Sequence, residues 1–526
     1  MAVIGSFSTL LISGLWYTPA LAVTYILVYV TYQIFLHPLS KYPGPFWAKL
    51  SDAYGGYYTQ KKCSHLVTRQ NHLKYGPVIR QGPNKLVFGS LSALRDIYNN
   101  PRITKPEVYK AIGPEMAVPT LFTATDRHFH RTRRQLVTQI LTDRSMHKFE
   151  PVLTERVNLF LLRLLQFAQA SRPANMSQLT RRFTMDVAGL LGFGFDLNLQ
   201  RSDENQFMLT VLDIMTPISN IYYHFFSLRG WMRWMSVFVS HDMREQYLGT
   251  MERIVSTRMA EGKHARHDLY SIVADSLDSG VGGLRQSELW AEANFFLTAA
   301  GETSKTAMCA TFFYLSRNPD AYQKLAAEIR TSFSSGTEIH STALNSCQYL
   351  RACVDEALRM SPPASGILWR EKDTSDDDND PLVIDGHVIP PGVMFGLSLY
   401  SLHHNEDYFP DSFTYKPDRW LNPDSHPKAR TAREAFAPFS VGSRACPGKT
   451  MAYQEVFLIL AKTFWYFDFE RSPGELGEVG AGKPSLGQGR ERPGEFQIYE
   501  VFNSSHDGPY LTLRPRGNVW QELGHE

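Results

Sequence analysis

Through much of this 526-residue chain, apolar residues recur at intervals of three and four positions with charged residues between them. This spacing is typical of packed amphipathic helices. It is clear between Thr180 and Phe193 and between Phe207 and Met259. A longer pattern from Leu284 to Ser316 predicts one helix of roughly 45 Å, which Asn318-Pro319 ends.

Strand patterns are few and short. They occur at Lys85 to Gly89 and at Leu382 to Ile389, where Asp385-Gly386 is a two-residue hairpin signal. The chain shows no internal repeat. The pattern therefore predicts a mainly α fold with small β-sheets, of the α+β class.

The N-terminus has the pattern of a membrane span. No charged side chain occurs from Met1 to Leu36, and Thr18-Pro19 suits the start of a helix. Pro19 to Leu36 would extend roughly 27 Å, close to the thickness of a bilayer core. A cleaved signal peptide is the alternative, but the chain lacks a basic segment before the apolar run, and Leu36-His37-Pro38-Leu39 offers no small-residue cleavage site.

Positive charge follows the span and does not precede it: the nearby lysines are Lys41, Lys49, Lys61 and Lys62. The positive-inside rule then predicts that the bulk of the chain is cytosolic. Tyr42-Pro43-Gly44-Pro45 has the composition of a stiff hinge. We predict a membrane anchor and hinge over residues 1–40 and one large domain over residues 41–526.

Net charge and cysteine content narrow the possible functions. A formal net charge of +2 excludes the strongly basic balance of a dedicated nucleic-acid binder. The five cysteines are too few and too scattered for a disulfide framework, which suits a reducing compartment.

One cysteine lies in a loop suited to presenting a thiolate. The segment Phe439 to Gly448 matches the haem-loop pattern Phe-x-x-Gly-x-Arg-x-Cys-x-Gly through Phe439, Gly442, Arg444, Cys446 and Gly448. Its glycines permit tight backbone turns, and the following helix directs its N-terminal dipole at the sulfur. Alone, Cys446 would be a small buried apolar residue. A catalytic nucleophile is the other alternative, but no His or Asn orienter lies near it in the sequence.

An acid and an alcohol adjoin in the middle of the predicted long helix. Glu302 and Thr303 could relay protons to a bound oxygen, whereas a mid-helix threonine alone usually bonds to a carbonyl one turn earlier. Phe296, Ala300, Thr303 and Ala307 share a helix face. Mostly small side chains on this face would allow a flat cofactor to approach.

Further motifs complete a family pattern. Glu356 and Arg359, which alone would be a surface ion pair, precede the segment Tyr415 to Trp420 with Arg419, and the cysteine loop follows. In this order the motifs resemble the cytochrome P450 family over nearly the whole chain. The sequence His37 to Pro45 after the span resembles its membrane-anchored fungal members.

The resemblance implies a role for each matching residue. Cys446 would be the axial ligand of haem b, held in its loop with Phe439, Gly442, Arg444 and Gly448. His130, Arg134 and Arg370 would bind the haem propionates, and Thr303 with Glu302 would serve oxygen activation. Glu356, Arg359 and Arg419 would form a buried network supporting the loop. The chain departs from the family pattern at Ala300, since the expected glycine appears one position later as Gly301.

The implied activity is a monooxygenase that inserts one oxygen atom into a lipophilic small molecule, in fungal secondary metabolism. Electrons would come from NADPH through a cytochrome P450 reductase at the endoplasmic reticulum. A basic face of Arg127, Arg131, Arg133 and Lys148 could dock that partner, although such a cluster is by default a solvated surface. The alternatives are a haem protein without oxygenase activity, a haem-thiolate isomerase or dehydratase, and a hydroxylase that detoxifies xenobiotics or fatty acids.

The same resemblance predicts where the substrate is contacted. The segments are Pro101 to Phe122, Ile218 to Phe238, Phe295 with Phe296, Pro362 to Leu368, and Val501 to Tyr510. Aromatic residues in the second segment would more often mean core packing or a membrane-facing surface.

Overall fold

The computed structural model describes residues 18–112, 118–231, 241–272, 286–373, 380–421 and 427–524. Helices dominate it, as the apolar spacing predicted. Their bounds are α1 Thr18–Leu36, α2 Phe46–Leu50, α3 Ala53–Gln60, α4 Ser64–Tyr75, α5 Leu91–Tyr98, α6 Arg127–Ile140, α7 Asp143–Gln169, α8 Met176–Phe193, α9 Gln206–His224, α10 His241–Ala260, α11 Gln286–Leu315, α12 Pro319–Ser332, α13 Gln348–Met360, α14 Leu399–His403, α15 Pro427–Ala435, α16 Lys449–Tyr466 and α17 Gly474–Gly477.

The strands are short and form small sheets at the sides of the helices. Their bounds are β1 Val78–Gly82, β2 Lys85–Phe88, β3 Ile103–Thr104, β4 Ala174–Asn175, β5 Glu371–Lys372, β6 Leu382–Ile384, β7 His387–Ile389, β8 Met394–Leu397, β9 Phe467–Arg471, β10 Tyr499–Val501, β11 Asn503–Ser505 and β12 Tyr510–Pro515. The sheet orders are β1-β2-β8, β4-β12-β9, β3-β5, β6-β7 and β10-β11. Only the β2–β8 pairing among them is parallel.

The predicted hairpin is present between β6 and β7. Asp385 and Gly386 both have positive φ angles, 49° and 74°, as a two-residue hairpin turn requires. The strand predicted at Lys85 to Gly89 is β2. Both predictions are confirmed, since turn chemistry and strand-forming residues act locally.

The long helix α11 is the centre of the core. It was predicted from Leu284, which lies outside the described residues. It packs along α8 and also contacts α13 and α16. A Cβ at Gly301 would lie 2.1 Å from Met185 Sδ, and one at Gly192 would lie 3.2 Å from the Phe296 ring. Glycines therefore let the two helices approach closely, which fixes the rotation of α11 about its own axis.

Helix α1 is long and apolar enough to cross a membrane, and most of it is exposed. Residues 1–17 of the predicted apolar N-terminus lie outside the described part of the chain.

The segment predicted as a hinge is held against the globule. Leu39 and Tyr42 are buried, and the Arg80 backbone N–H donates to Pro43 O at 2.7 Å. The Arg80 guanidinium donates to the Gln33 backbone oxygen and to Gln33 Oε1 at 2.7 and 2.6 Å. The predicted boundary at residues 40 and 41 thus falls inside a packed segment, because β1 offers buried hydrogen-bond partners to the chain that leaves α1.

Candidate active site

The cysteine loop closes on itself before α16 begins. The Cys446 backbone N–H donates to Phe439 O at 2.8 Å, and the Phe439 ring lies 5.3 Å from that of Tyr453. Gly442 has a φ of +79°, and a Cβ there would lie 1.9 Å from the Tyr98 carbonyl oxygen. Only glycine satisfies both conditions.

Gly448 plays a different part. It is the N-cap of α16 with a φ of −83°, which any residue adopts, and its N–H lowers the pKa of Cys446. Burial acts in the opposite direction and more strongly, so the net effect is a raised pKa of this thiol, although Arg134 also lowers it. A buried thiol of this kind becomes a thiolate when a metal ion binds it.

The sulfur faces a large internal cavity. Cys446 is exposed, and it lines this cavity of about 890 Å³. The opposite wall is α11, where Phe296, Ala300, Thr303 and Ala307 all line the cavity. The predicted helix face is therefore the one turned toward the cysteine loop.

Three cations gather at one edge of the cavity: Lys105, Arg134 and Arg444. None of them has a carboxylate partner among the described residues. Each donates instead to a main-chain carbonyl: Lys105 to Phe122 O, Arg134 to Ala445 O at 2.5 Å, and Arg444 to Ala124 O at 2.5 Å.

The pKa values of Lys105 and Arg444 are both lowered. Burial lowers the pKa of Lys105 well below its ordinary value, and the neighbouring arginines lower it further. Burial, and then Arg370, lower the pKa of Arg444 to about 10. A site that crowds cations at such a cost fits a ligand with two carboxylates.

His130 also lines the cavity, whereas Arg370 does not. Burial, followed by the nearby cations, lowers the pKa of His130 to about 3, so its imidazole is neutral. Arg370 lies behind the wall, where Nη1 donates to Tyr109 Oη and to Trp369 O, both at 2.8 Å. The expected contact role of Arg370 is thus not matched by its position. Lys105, which no motif marked, lies at the cavity instead.

These features fit haem. The cysteine sulfur would bind the iron, and the wall of mostly small side chains would accept the flat ring. The three cations, which have no carboxylate partner within the described ranges, would bind the two propionates. Of the predicted site residues, Cys446, Arg444, Phe439, Gly448, His130, Arg134 and Thr303 line the cavity, while Gly442, Glu302 and Arg370 do not.

Glu302 is turned away from the cavity, contrary to the expected relay. Its carboxylate accepts from Arg181 Nε at 2.6 Å and from Lys305 Nζ at 2.7 Å. Although burial raises its pKa, these two cations outweigh burial and lower it to about 2. Thr303 does line the cavity, and its hydroxyl donates to Ala299 O at 2.7 Å. The two neighbours point differently because they lie about 100° apart on the helix.

The departure from the family pattern at Ala300 has a structural explanation. Ala300 lines the cavity, while Gly301 meets Met185 on α8. The glycine one position later therefore serves helix packing.

The predicted network of Glu356, Arg359 and Arg419 is formed and buried. Glu356 accepts two bonds from Arg359 at 2.9 Å each, one from Arg419 Nε at 3.0 Å and one from Trp420 Nε1 at 3.0 Å. Both Glu356 and Arg359 are 0% exposed. The pair is thus not the surface ion pair that the two residues alone would suggest.

This network reaches the segment before the cysteine loop. Arg359 Nη1 donates to His403 O at 2.8 Å, and the Ala437 N–H donates to His403 Nε2 at 3.1 Å. Ser440 N in turn donates to Ala437 O at 2.9 Å. Helix α13 is thereby tied to the start of the loop.

The predicted basic face is only partly exposed. Arg131 and Lys148 are exposed. Arg133 is buried and paired with Glu288, and Arg127 pairs with Asp373 at 2.6 Å. The expected docking face is therefore smaller than the sequence suggested.

Comparison with known proteins agrees with this geometry. The family model for cytochrome P450 matches residues 45–485. The chain belongs to the cytochrome P450 family. Its relatives include cytochrome P450 monooxygenase AKT7 of Alternaria alternata, 31% identical over 94% of this chain and 96% of that protein. Cytochrome P450 monooxygenase apf7 of Gibberella fujikuroi is 32% identical over 96% of this chain and 98% of its own.

As a P450, the chain is a haem-thiolate monooxygenase with the predicted mainly helical fold. The five predicted substrate segments all contribute to the cavity wall, although residues 113–117 and 232–238 of them lie outside the described residues. Sequence reasoning missed the contributions of α9 and α10 near Leu212 and Tyr247, and of Glu292 on α11. Motif matching had no signal for them.

Proposed function

We propose that this P450 oxidises a lipophilic small molecule in fungal secondary metabolism, with electrons from NADPH delivered by a cytochrome P450 reductase. The observation that carries the proposal is that the Cys446 sulfur borders the same cavity as three cations that have no carboxylate partner in the described part of the chain. The named relatives, monooxygenases of filamentous fungi such as Alternaria alternata, support the biological setting.

Each group of residues has a distinct task in binding haem. Cys446 would ligate the iron, while Lys105, Arg134 and Arg444 would neutralise the propionates. Bound there, haem supplies an iron centre at which thiolate donation favours cleavage of the O–O bond. Phe439 and Gly448 line the cavity on the sulfur side and limit water around it.

Thr303 is a hydroxyl-bearing side chain of α11 that lines the cavity, as are Thr298 and Ser304. In the resting arrangement its hydroxyl proton points to Ala299 O. Rotation about χ1 would turn Oγ1 toward the cavity, where it can hold a proton beside the reacting oxygen. Glu302 would position α11 through its two ion pairs, and it could exchange protons only after leaving them.

The reductase and the membrane are the proposed partners. Arg131 and Lys148 offer exposed positive charge to an acidic electron donor. Helix α1 supports a single-pass anchor, and its packing through Gln33 and Arg80 would hold the domain at the bilayer surface. We propose the endoplasmic reticulum membrane with the catalytic domain in the cytosol.

Two measurements test the assignment. The reduced, carbon-monoxide-treated protein should show the red-shifted Soret band of a thiolate-bound haem. Cys446→Ser should abolish that band, while Cys63→Ser, which alters a buried cysteine away from the cavity, should preserve it. With reductase and NADPH, oxygen from labelled O2 should enter the product. Turnover that needs neither NADPH nor O2 would instead indicate a haem-thiolate isomerase or dehydratase.

The substrate is best sought in the producing fungus. Deletion of the gene should cause a less oxidised, lipophilic precursor to accumulate, and the purified enzyme with reductase should convert that precursor. A deletion strain whose only change is sensitivity to added xenobiotics or fatty acids would point to detoxification instead.

A further inference from the structure

In the part of the chain that the structure describes, one carboxyl group borders the cavity, about three turns of α11 before Thr303. Glu292 lies on α11 eleven residues before Thr303, so the two are roughly 16 Å apart along the helix axis. Its side chain is only 6% exposed, and Oε1 accepts a hydrogen bond from the Leu121 N–H at 2.6 Å. Oε2 has no hydrogen-bond partner among the described residues, and the side chain lines the cavity.

The charges around the cavity are distributed unequally. Glu292 is the only acidic residue among the described residues that line it, and the cations Lys105, Arg134 and Arg444 gather at the proposed haem edge. Arg244 also contributes to the lining, but it is exposed to solvent.

The charged neighbours of Glu292 do not neutralise it. Arg133 and Glu288 form an ion pair with each other. Burial is the largest influence on the pKa of Glu292 and raises it, whereas the Leu121 N–H and Arg133 lower it. Glu288 raises it further, and the resulting pKa of Glu292 is about 7. A buried carboxylate without a full set of partners is costly, and Glu292 lines the cavity in which a bound molecule would lie.

We propose that Glu292 binds a protonated amine or guanidine at one end of an elongated, otherwise apolar substrate. This proposal deepens the proposed function. It rests on that function only in assigning the oxidised end of the molecule, which is the end near Cys446. The wall between the two ends suits such a body. The rings of Phe122 and Phe295 stack at 5.1 Å, and Phe502 meets Phe122 at 5.3 Å, so aromatic rings are available to pack against an alkyl chain.

The competing explanation is that Glu292 only anchors the loop at Leu121. Glu292→Gln separates the two, because the amide oxygen can still accept from the Leu121 N–H while the charge is lost. Glu475→Gln removes the same charge from an exposed site and serves as the matched control.

The test measures binding of three probes that share one alkyl chain: dodecylguanidinium, 1-dodecanol and dodecanoate. The haem-loaded protein in lipid nanodiscs is titrated calorimetrically at pH 7.5, with empty nanodiscs as the blank. We expect the unmodified protein and Glu475→Gln to prefer dodecylguanidinium over dodecanol by about tenfold or more, the range of a charge-assisted hydrogen bond. Glu292→Gln should lose this preference and keep its affinity for dodecanol.

Two results would overturn the proposal: no preference for the cation in the unmodified protein, or an equal loss of affinity for all three probes in Glu292→Gln. If Glu292→Gln fails to bind haem, proton release on binding to the unmodified protein tests the proposal instead. Pairing with a cation must ionise Glu292, so binding of dodecylguanidinium at pH 7 must release protons from the protein. This release is measured as a difference between the binding heats in phosphate and in Tris buffer. Equal heats in the two buffers would contradict the proposal. Because binding needs no electrons, these results are independent of NADPH-dependent turnover.

Discussion

The two glycines of the cysteine loop should respond to the same substitution with losses of stability of very different size. Both belong to the sequence motif, yet their surroundings differ. At Gly442 the φ of +79° disfavours any side chain, and a Cβ would lie 1.9 Å from Tyr98 O and 2.8 Å from its carbon. At Gly448 the φ is −83°, and the nearest atom to a Cβ is Cys446 Sγ at 3.8 Å, an ordinary contact.

The cost of Gly442→Ala follows from two contributions. Alanine in the left-handed region costs about 1–2 kcal/mol. The overlap involves a main-chain carbonyl, which cannot rotate away as a flexible side chain can, so the loop or α5 must shift at a cost of about 1–3 kcal/mol. Together these predict a loss of about 2–5 kcal/mol in the free energy of unfolding, compared with about 0.5 kcal/mol or less for Gly448→Ala.

The assay is denaturant unfolding of the haem-loaded proteins, followed by tryptophan fluorescence and by the absorbance of bound haem. Gly442→Ala should unfold at a clearly lower denaturant concentration and release haem earlier. Gly448→Ala should unfold near the unmodified protein. Equal midpoints for the two variants would refute the reasoning, since the motif treats the two glycines alike and only the structure separates them.

Three further substitutions have expected outcomes. Glu356→Gln should destabilise the fold by about 3–5 kcal/mol because it leaves Arg359 buried and unpaired. Burial raises the pKa of Glu356, but Arg359 and Arg419 outweigh burial and lower it. This stability is therefore present above the ordinary carboxyl pKa and lost as pH falls, as unfolding at pH 7 and pH 4 would reveal. Thr303→Ala should keep the thiolate-haem spectrum but divert NADPH to peroxide; unchanged coupling would exclude its role. Gly301→Ala should lower the melting temperature, because its Cβ would meet Met185 Sδ at 2.1 Å; an unchanged melting temperature would contradict the close packing.

Helix content and the cysteine loop were predictable because their signals are local. The apolar spacing of α11 placed Thr303 on the same face as Ala300, and Asp385-Gly386 defined its own hairpin. The haem loop could be identified from five residues within ten positions, since its conformation depends on backbone turns between neighbours.

The cation cluster at the cavity was only partly predictable. Lys105 precedes Arg444 by more than three hundred positions, and no spacing rule connects them, yet both border the cavity. Arg370 was expected there and lies behind the wall, held by Tyr109. Charges meet in this way only when segments from different parts of the chain fold over one another.

The sequence alone determined a mainly helical haem-thiolate enzyme with a thiol at position 446. Which side chains of α11 turn toward the cavity was decided by tertiary packing. Periodicity shows that Glu302 and Thr303 lie on different faces, but the rotation of the helix is fixed by the contact of Gly301 with Met185 on α8. Close packing permits only one rotation of a buried helix. In that rotation Glu302 faces Arg181 and pairs with it, while Thr303 and Glu292 line the cavity.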